Sequence, residues 1–136
     1  MTQAQTQTQT PALSAEAQAF LTESHLCTFT TLRPDGSPHT APVRFTWDKD
    51  TGLARVMTTV ARRKARNVLA RPGGRVSVCQ TAGWRWITLE GTATVSTDPA
   101  RVAEGVRLYT RRFWSPPPRP PGLAVIEIRV DRVLGG

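Results

Sequence analysis

The chain has 136 residues, 39% apolar and 21% charged, a globular composition with length for one core and too little for two domains of ordinary size. No apolar run approaches the roughly 18 residues that span a bilayer, nothing at the N-terminus resembles a secretory leader, and Cys27 and Cys79 form no paired-cysteine motif. A reducing cytoplasm is the expected location. The net charge of +8 is concentrated: residues 51–89 hold eight Arg or Lys and no acid, while the other ten basic residues are balanced by ten acidic ones.

In chain order, residues 1–10 alternate Thr and Gln with nothing to bury, which predicts a disordered tail over 1–12 ahead of a single domain over 13–136. Ser14 is placed to cap a short covering helix through Phe20 and Leu21, with Leu13 packing back on its first turn. Residues 26–32, 38–46 and 53–59 read as strands joined by turns at 33–36 and 48–52, an antiparallel meander. A basic helix follows over 61–70 and ends at Pro72-Gly73-Gly74. Strands over 75–81 and 84–96 come next, the second with Gly91 in its middle as a bulge or bend. Asp98-Pro99 opens a helix toward Phe113 with Gly105 weakening its middle. Residues 115–122 contain five prolines and form an extended loop. A last strand over 123–134 puts Ile126, Ile128 and Val130 on one face. Six strands with helices as interruptions predict a small, mostly antiparallel barrel.

The segment most suited to chemistry is the run from Met57-Thr58-Thr59 into Arg62-Arg63-Lys64 and Asn67. Helix N-terminal amides, two hydroxyls and Arg62 or Lys64 can converge there on one phosphate or polycarboxylate. Lys64 and Asn67 share a helix face, and Arg63 and Arg66 the adjoining one; a solvated charged face is the alternative. Pro38 and Pro42 demote their strand to an edge or bulge, which leaves backbone groups free to meet a flat ligand or simply blocks the edge. Trp84-Arg85-Trp86 places both indoles on one side of a strand and Arg85 on the other, as a stacking wall or as core or dimer-interface residues. His25 and His39 lie in no triad or metal spacing, so no metal site is expected; His39 remains a ligand-contact candidate. The two cysteines read as inert buried thiols. With no nucleophile elbow, phosphate loop or carboxylate pair, any redox or transfer chemistry must come from a cofactor. Charge clustered at one strand-to-helix junction favours a compact anion over nucleic acid, although a noncatalytic basic module holding a cofactor, tetrapyrrole or nucleic acid stays open.

Gly36-Ser37-Pro38 through Pro42-Val43, the Met57-Thr58-Thr59 strand, Lys64 with Asn67, and Leu89-Glu90-Gly91-Thr92-Ala93 resemble the flavin and deazaflavin split-barrel superfamily related to pyridoxamine phosphate oxidase. Within it the chain is similar to the deazaflavin-dependent oxidoreductases of actinobacteria, and to their biliverdin-reducing group through Val125-Ile126-Glu127 and Arg132-Val133-Leu134-Gly135. The resemblance implies a six-stranded antiparallel split β-barrel and a homodimer with sites between subunits. It also implies a reductase that moves a hydride from reduced coenzyme F420 to biliverdin or a similar conjugated acceptor, with flavin mononucleotide as the alternative cofactor. The ring is then expected against Pro42, Val43 and Arg44, the phosphate near Thr58, Thr59, Lys64 and Asn67, and the polyglutamate tail near Arg62 and Arg63, whose charge departs from the family pattern. Trp84, Arg85 and Trp86 would wall the substrate or face the partner chain, and Arg44 or Arg85 would suit the propionates of a linear tetrapyrrole.

Overall fold

The computed structural model describes residues 11–135, so the first ten residues of the expected tail lie outside it. Helix α1 (Ala15–Phe20) starts where Ser14 Oγ accepts the Ala17 amide at 3.0 Å, and Leu13 packs on the core. The strands are β1 (Cys27–Leu32), β2 (Pro38–Val43), β3 (Phe45–Asp48), β4 (Leu53–Thr59), β5 (Arg75–Ala82), β6 (Arg85–Ser96) and β7 (Leu123–Gly135), with α2 (Arg63–Ala70) between β4 and β5 and α3 (Pro99–Phe113) between β6 and β7. Every pairing is antiparallel, in the order β2-β1-β5-β6-β7-β4-β3. The two end strands, β2 and β3, are joined through Arg44 alone. A sheet whose opposite edges are one residue apart in the chain must curl back on itself, which makes this a split barrel.

That junction corrects the strand count from six to seven. The expected single strand over 38–46 divides at Arg44: its first part pairs with β1, Cys27 opposite Val43, and its second with β4, Phe45 opposite Val56. One straight strand cannot serve partners on two sides of a curled sheet, so the chain turns the corner at Arg44. The meander holds in its pairings, β1 with the first half of that segment and β4 with the second, both antiparallel, while β5 and β7 flank it on the outer sides. The basic helix begins two residues later than expected, with Arg62 as its N-cap.

Phe29, Phe45, Val78, Ile87, Leu89, Ile126 and Ile128 are fully buried inside the curl. Helix α2 buries Ala65 and Val68 against β1 and β6, and α3 crosses β3, β4 and β7. Gly105 is the crossing point: a Cβ there would lie 2.6 Å from Met57 Sδ and 3.1 Å from Val125 Cγ2. Its helix-weakening cost of about 1 kcal/mol is the condition for bringing α3 close to the strand that carries Thr58. Cys27 is buried and Cys79 half-buried, both as free thiols; burial pushes the Cys27 thiol up to about 11, leaving it in the unreactive form.

Candidate functional site

Strand β4 delivers Thr58 and Thr59 directly to the start of α2. The junction is pinned twice, by the Arg62 amide donating to the Thr59 carbonyl at 3.1 Å and the Val60 amide donating to the Gly122 carbonyl at 3.0 Å. Helix α2 then begins without a side-chain cap and without an acid in its first turn, so its first amides are left for a ligand. Arg62, Arg63 and Lys64 crowd this end, where the helix dipole is positive and each cation costs roughly 0.3–1 kcal/mol. A bound anion would offset that cost.

Two side chains sharpen the point. Thr58 is 8% exposed and its hydroxyl has no hydrogen-bond partner. Lys64 is half-buried and forms no ion pair among the described residues; burial first, and the Arg62 charge second, hold its ammonium below the usual lysine range. An orphaned hydroxyl and an unneutralised ammonium at an uncapped helix N-terminus fit the phosphate of a nucleotide-like cofactor.

These groups line one end of a cleft of about 460 Å³, within the range of roughly 300–1,000 Å³ typical of ligand pockets. Pro42, Val43 and Arg44 form one wall at the barrel corner, and Pro117, Pro118 and Pro120 of the loop after α3 form another. Met57, Leu123 and Leu26, the last 66% exposed, supply apolar surface. Tyr109 of α3 reaches in beside Arg44, whose Nη1 donates to its hydroxyl at 3.2 Å. Strand β2 is an edge strand, as its prolines predicted. A larger cleft of about 630 Å³ between α1, β3 and the end of α3 meets both helices at their C-terminal ends, where the dipole disfavours an anion, and its Arg112 and Asp48 are held by protein partners.

The cleft thus gathers Pro42, Val43, Arg44, Thr58, Thr59, Arg62 and Lys64. It does not gather Asn67, which is 1% exposed and donates to Thr31 Oγ1 at 2.9 Å, tying α2 to β1. Arg63 lies outside the lining, near His39. Burial first, then the charges of Arg33, Lys64 and Arg63, hold the His39 imidazole below the usual histidine range, and its Nδ1 has no partner. Trp84 is 89% and Trp86 47% exposed, away from this cleft; Trp84 sits in the β5–β6 turn, one residue before the strand. Arg85 is committed to Glu23, with two contacts of 2.9 Å, and lies 4.5 Å from the Phe20 ring centroid.

The Arg85 and His25 hydrogen bonds hold the Glu23 carboxyl down from 4.5 to about 2. A depressed folded-state value stabilises the fold above the ordinary carboxylate range and is lost as pH falls through about 2. Acid unfolding followed by circular dichroism should therefore begin at higher pH in Arg85→Gln than in the parent chain, with the difference shrinking in high salt; coincident curves would remove the pair from the acid limb.

Sequence reasoning missed Leu26, Tyr109, Leu123 and the prolines of the loop as parts of this cleft. Tyr109 carried one usable signal, its four-residue spacing from Phe113 on α3; the rings pack with centroids 4.9 Å apart.

Comparison with known proteins agrees with this fold. Residues 13–135 match the sequence profile of the pyridoxamine 5'-phosphate oxidase family. The chain belongs to that family. It is 44% identical over 126 residues to the F420H(2)-dependent biliverdin reductase of Mycobacterium tuberculosis (strain CDC 1551 / Oshkosh), covering 93% of this chain and 90% of that protein. Among solved structures it is similar in fold to an F420 reductase, with a TM-score of 0.69 at 23% identity over 86% of this chain and 94% of that one. It is also similar to HutZ, the heme storage protein of Vibrio cholerae, with a TM-score of 0.71 at 16% identity over 88% and 92% of the two chains. Among the described residues no helix is long and apolar enough to cross a membrane, and none group as a metal site.

Proposed function

We propose that this protein is a cytoplasmic F420H2-dependent reductase of a conjugated acceptor, biliverdin or a compound like it, working as a homodimer. The observation that carries the reading is the anion site itself: a half-buried Lys64 with no ion pair among the described residues and a partnerless Thr58 hydroxyl at an uncapped helix N-terminus, opening onto a cleft of ring-binding size. The 44% identity to an F420H(2)-dependent biliverdin reductase supports the choice of cofactor and acceptor.

Thr58, Thr59 and Lys64 would hold the cofactor phosphate, and Pro42, Val43 and Arg44 would back its ring. Arg62 at the rim and Arg63 beyond it extend the positive charge outward, which suits a polyglutamate tail; Asn67 positions α2 from behind. When bound in its reduced form, the cofactor supplies a hydride to an electrophilic carbon of the acceptor. The protein's part is to orient the two partners and exclude water. Trp84 and Trp86, exposed outside their own chain's cleft, would wall the cleft of a second copy, with Arg85 held behind them by Glu23. Flavin mononucleotide is the second reading, because its terminal phosphate would use the same Thr58, Thr59 and Lys64; the charge continuing to Arg63 favours the longer anion.

Removing one charge-assisted contact to a phosphate costs about 1.5–3 kcal/mol. Lys64→Ala should thus weaken coenzyme F420 binding by roughly tenfold to a hundredfold, measured by cofactor fluorescence at 0.15 M salt with thermal stability unchanged. Arg63→Glu should weaken binding less, and in proportion to the number of tail glutamates. An Arg63→Glu affinity equal to that of the parent chain would take the tail off this surface.

A further inference from the structure

The reduction of a conjugated acceptor needs a proton as well as a hydride, and the cleft contains few groups able to give one. No Asp, Glu, His or Cys lines it. Arg44 and Arg62 are guanidinium groups that do not release protons in proteins, Thr58 and Thr59 are too weakly acidic, and Lys64 belongs to the phosphate end. Tyr109, the one tyrosine of the chain, remains.

Its hydrogen-bond geometry fixes the direction of its own proton. Arginine has donors and no acceptor, so in the 3.2 Å contact Arg44 Nη1 donates and the Tyr109 oxygen accepts. The phenolic hydrogen is therefore free for another acceptor, and no described residue takes it. The ring cannot swing away easily, because it packs on Phe113 at 4.9 Å while the Arg44 guanidinium sits 5.2 Å from the centroid of the same Phe113 ring. Tyr109 and the Pro42-Val43-Arg44 wall line the same cleft, and that wall is where the reading above puts the reacting ring.

We infer that Tyr109, held and oriented by Arg44, is the proton donor of the reduction, acting on a nitrogen or oxygen of the acceptor conjugated to the carbon that receives the hydride. The inference rests on the reductase reading. The carbon gains the hydride and its electron pair, the phenolic O–H bond breaks, and a new N–H or O–H bond forms on the acceptor. The phenolate left on Tyr109 is neutralised by the adjacent Arg44 cation and regains a proton from water. The acceptor gains two electrons and two hydrogens, the reduced cofactor loses a hydride and a proton, and the proton that Tyr109 draws from water is balanced by the one the cofactor gives back to solvent.

The test uses the full chain, coenzyme F420 and biliverdin. Tyr109→Phe keeps the ring packing on Phe113 and deletes only the proton. It should bind F420 with unchanged affinity and turn over biliverdin about a hundredfold more slowly, the usual scale for a lost general acid. With biliverdin bound to cofactor-free protein, the visible absorption band should shift between the parent chain and Tyr109→Phe, because a hydrogen bond to the chromophore is lost. Tyr109→His should regain turnover as pH falls from 8 to 6, where an imidazolium can donate instead; this arm serves alone if Tyr109→Phe folds poorly. Turnover within twofold of the parent chain, an unshifted band, or no pH-dependent recovery overturns the inference and leaves the reductase reading standing. Failure of the parent chain to bind F420 or to turn over biliverdin overturns that reading, and this inference with it.

Discussion

Replacing Arg112 with Met is expected to destabilise the fold by about 3–5 kcal/mol, the scale seen when one partner of a buried charged network is removed. Arg112 is 8% exposed near the end of α3 and has no carboxylate partner among the described residues; it donates to the Phe45 carbonyl, twice to the Glu23 carbonyl and to Gln80 Oε1. Gln80, itself fully buried, donates to the Phe20 carbonyl at 2.8 Å. The Phe45 and Phe113 rings flank the guanidinium, with centroids at 5.1 and 4.9 Å. One cation thus fastens α3, the segment after α1, β3 and β5 together. Burial pushes the guanidinium below the usual arginine range, yet it stays charged because the value it starts from is so high. Met matches the length and leaves these acceptors buried and unpaired, each at roughly 1–3 kcal/mol. Urea unfolding measures the loss, with Arg112→Lys falling between the two. A midpoint for Arg112→Met close to that of the parent chain would mean that water satisfies these carbonyls as well as the guanidinium does. Since α3 also carries Tyr109, a partial loss of order here should loosen the cleft wall before the barrel opens.

Gly91→Ala is the second large effect. Strand β6 changes register between Glu90 and Gly91, and a Cβ at Gly91 would lie 1.9 Å from the Arg129 carbonyl oxygen and 2.7 Å from its carbon. Those atoms are backbone of β7, the strand between β6 and β4, so no rotamer change relieves the overlap. Either β7 moves, breaking its pairing with β4, or the bulge is lost and every side chain beyond it changes face. A loss of about 3 kcal/mol or more is expected, read as insoluble expression or as a lowered melting temperature. A Gly91→Ala protein with parental stability would show that the β6–β7 pairing is more pliable than its close approach implies.

Much of the fold is legible in the sequence because the signals are local. Ser14 and Asp98 mark helix starts through the geometry of a single side chain, and Gly91 marks its bulge because only a missing Cβ permits the approach. The corner at Arg44 is different. The apolar pattern runs through it without interruption, and the break arises from which neighbours the two halves find in a closed sheet, a property of the whole barrel. The anion site is legible for the same reason as the helix starts, since Thr58 to Lys64 is one contiguous stretch. Tyr109 is not, because its partner Arg44 is 65 residues away. Asn67 misleads in an instructive way: three residues from Lys64 on the helix, it rotates far enough around the axis to face β1 and Thr31 instead of the cleft. Trp84 and Trp86 stay ambiguous in sequence because a core, an interface and a stacking wall all select the same alternating aromatics; their exposure separates the first from the other two.

The central claim is that the Thr58–Lys64 junction binds the phosphate of a deazaflavin cofactor whose tail runs out along Arg62 and Arg63. Titration of the cofactor-free protein with coenzyme F420 and, separately, with flavin mononucleotide, followed by ligand fluorescence at 0.15 M salt, tests it most directly. The account predicts saturable binding that prefers F420 and is weakened roughly tenfold to a hundredfold in Lys64→Ala. Tighter binding of flavin mononucleotide, or binding of neither, would contradict it.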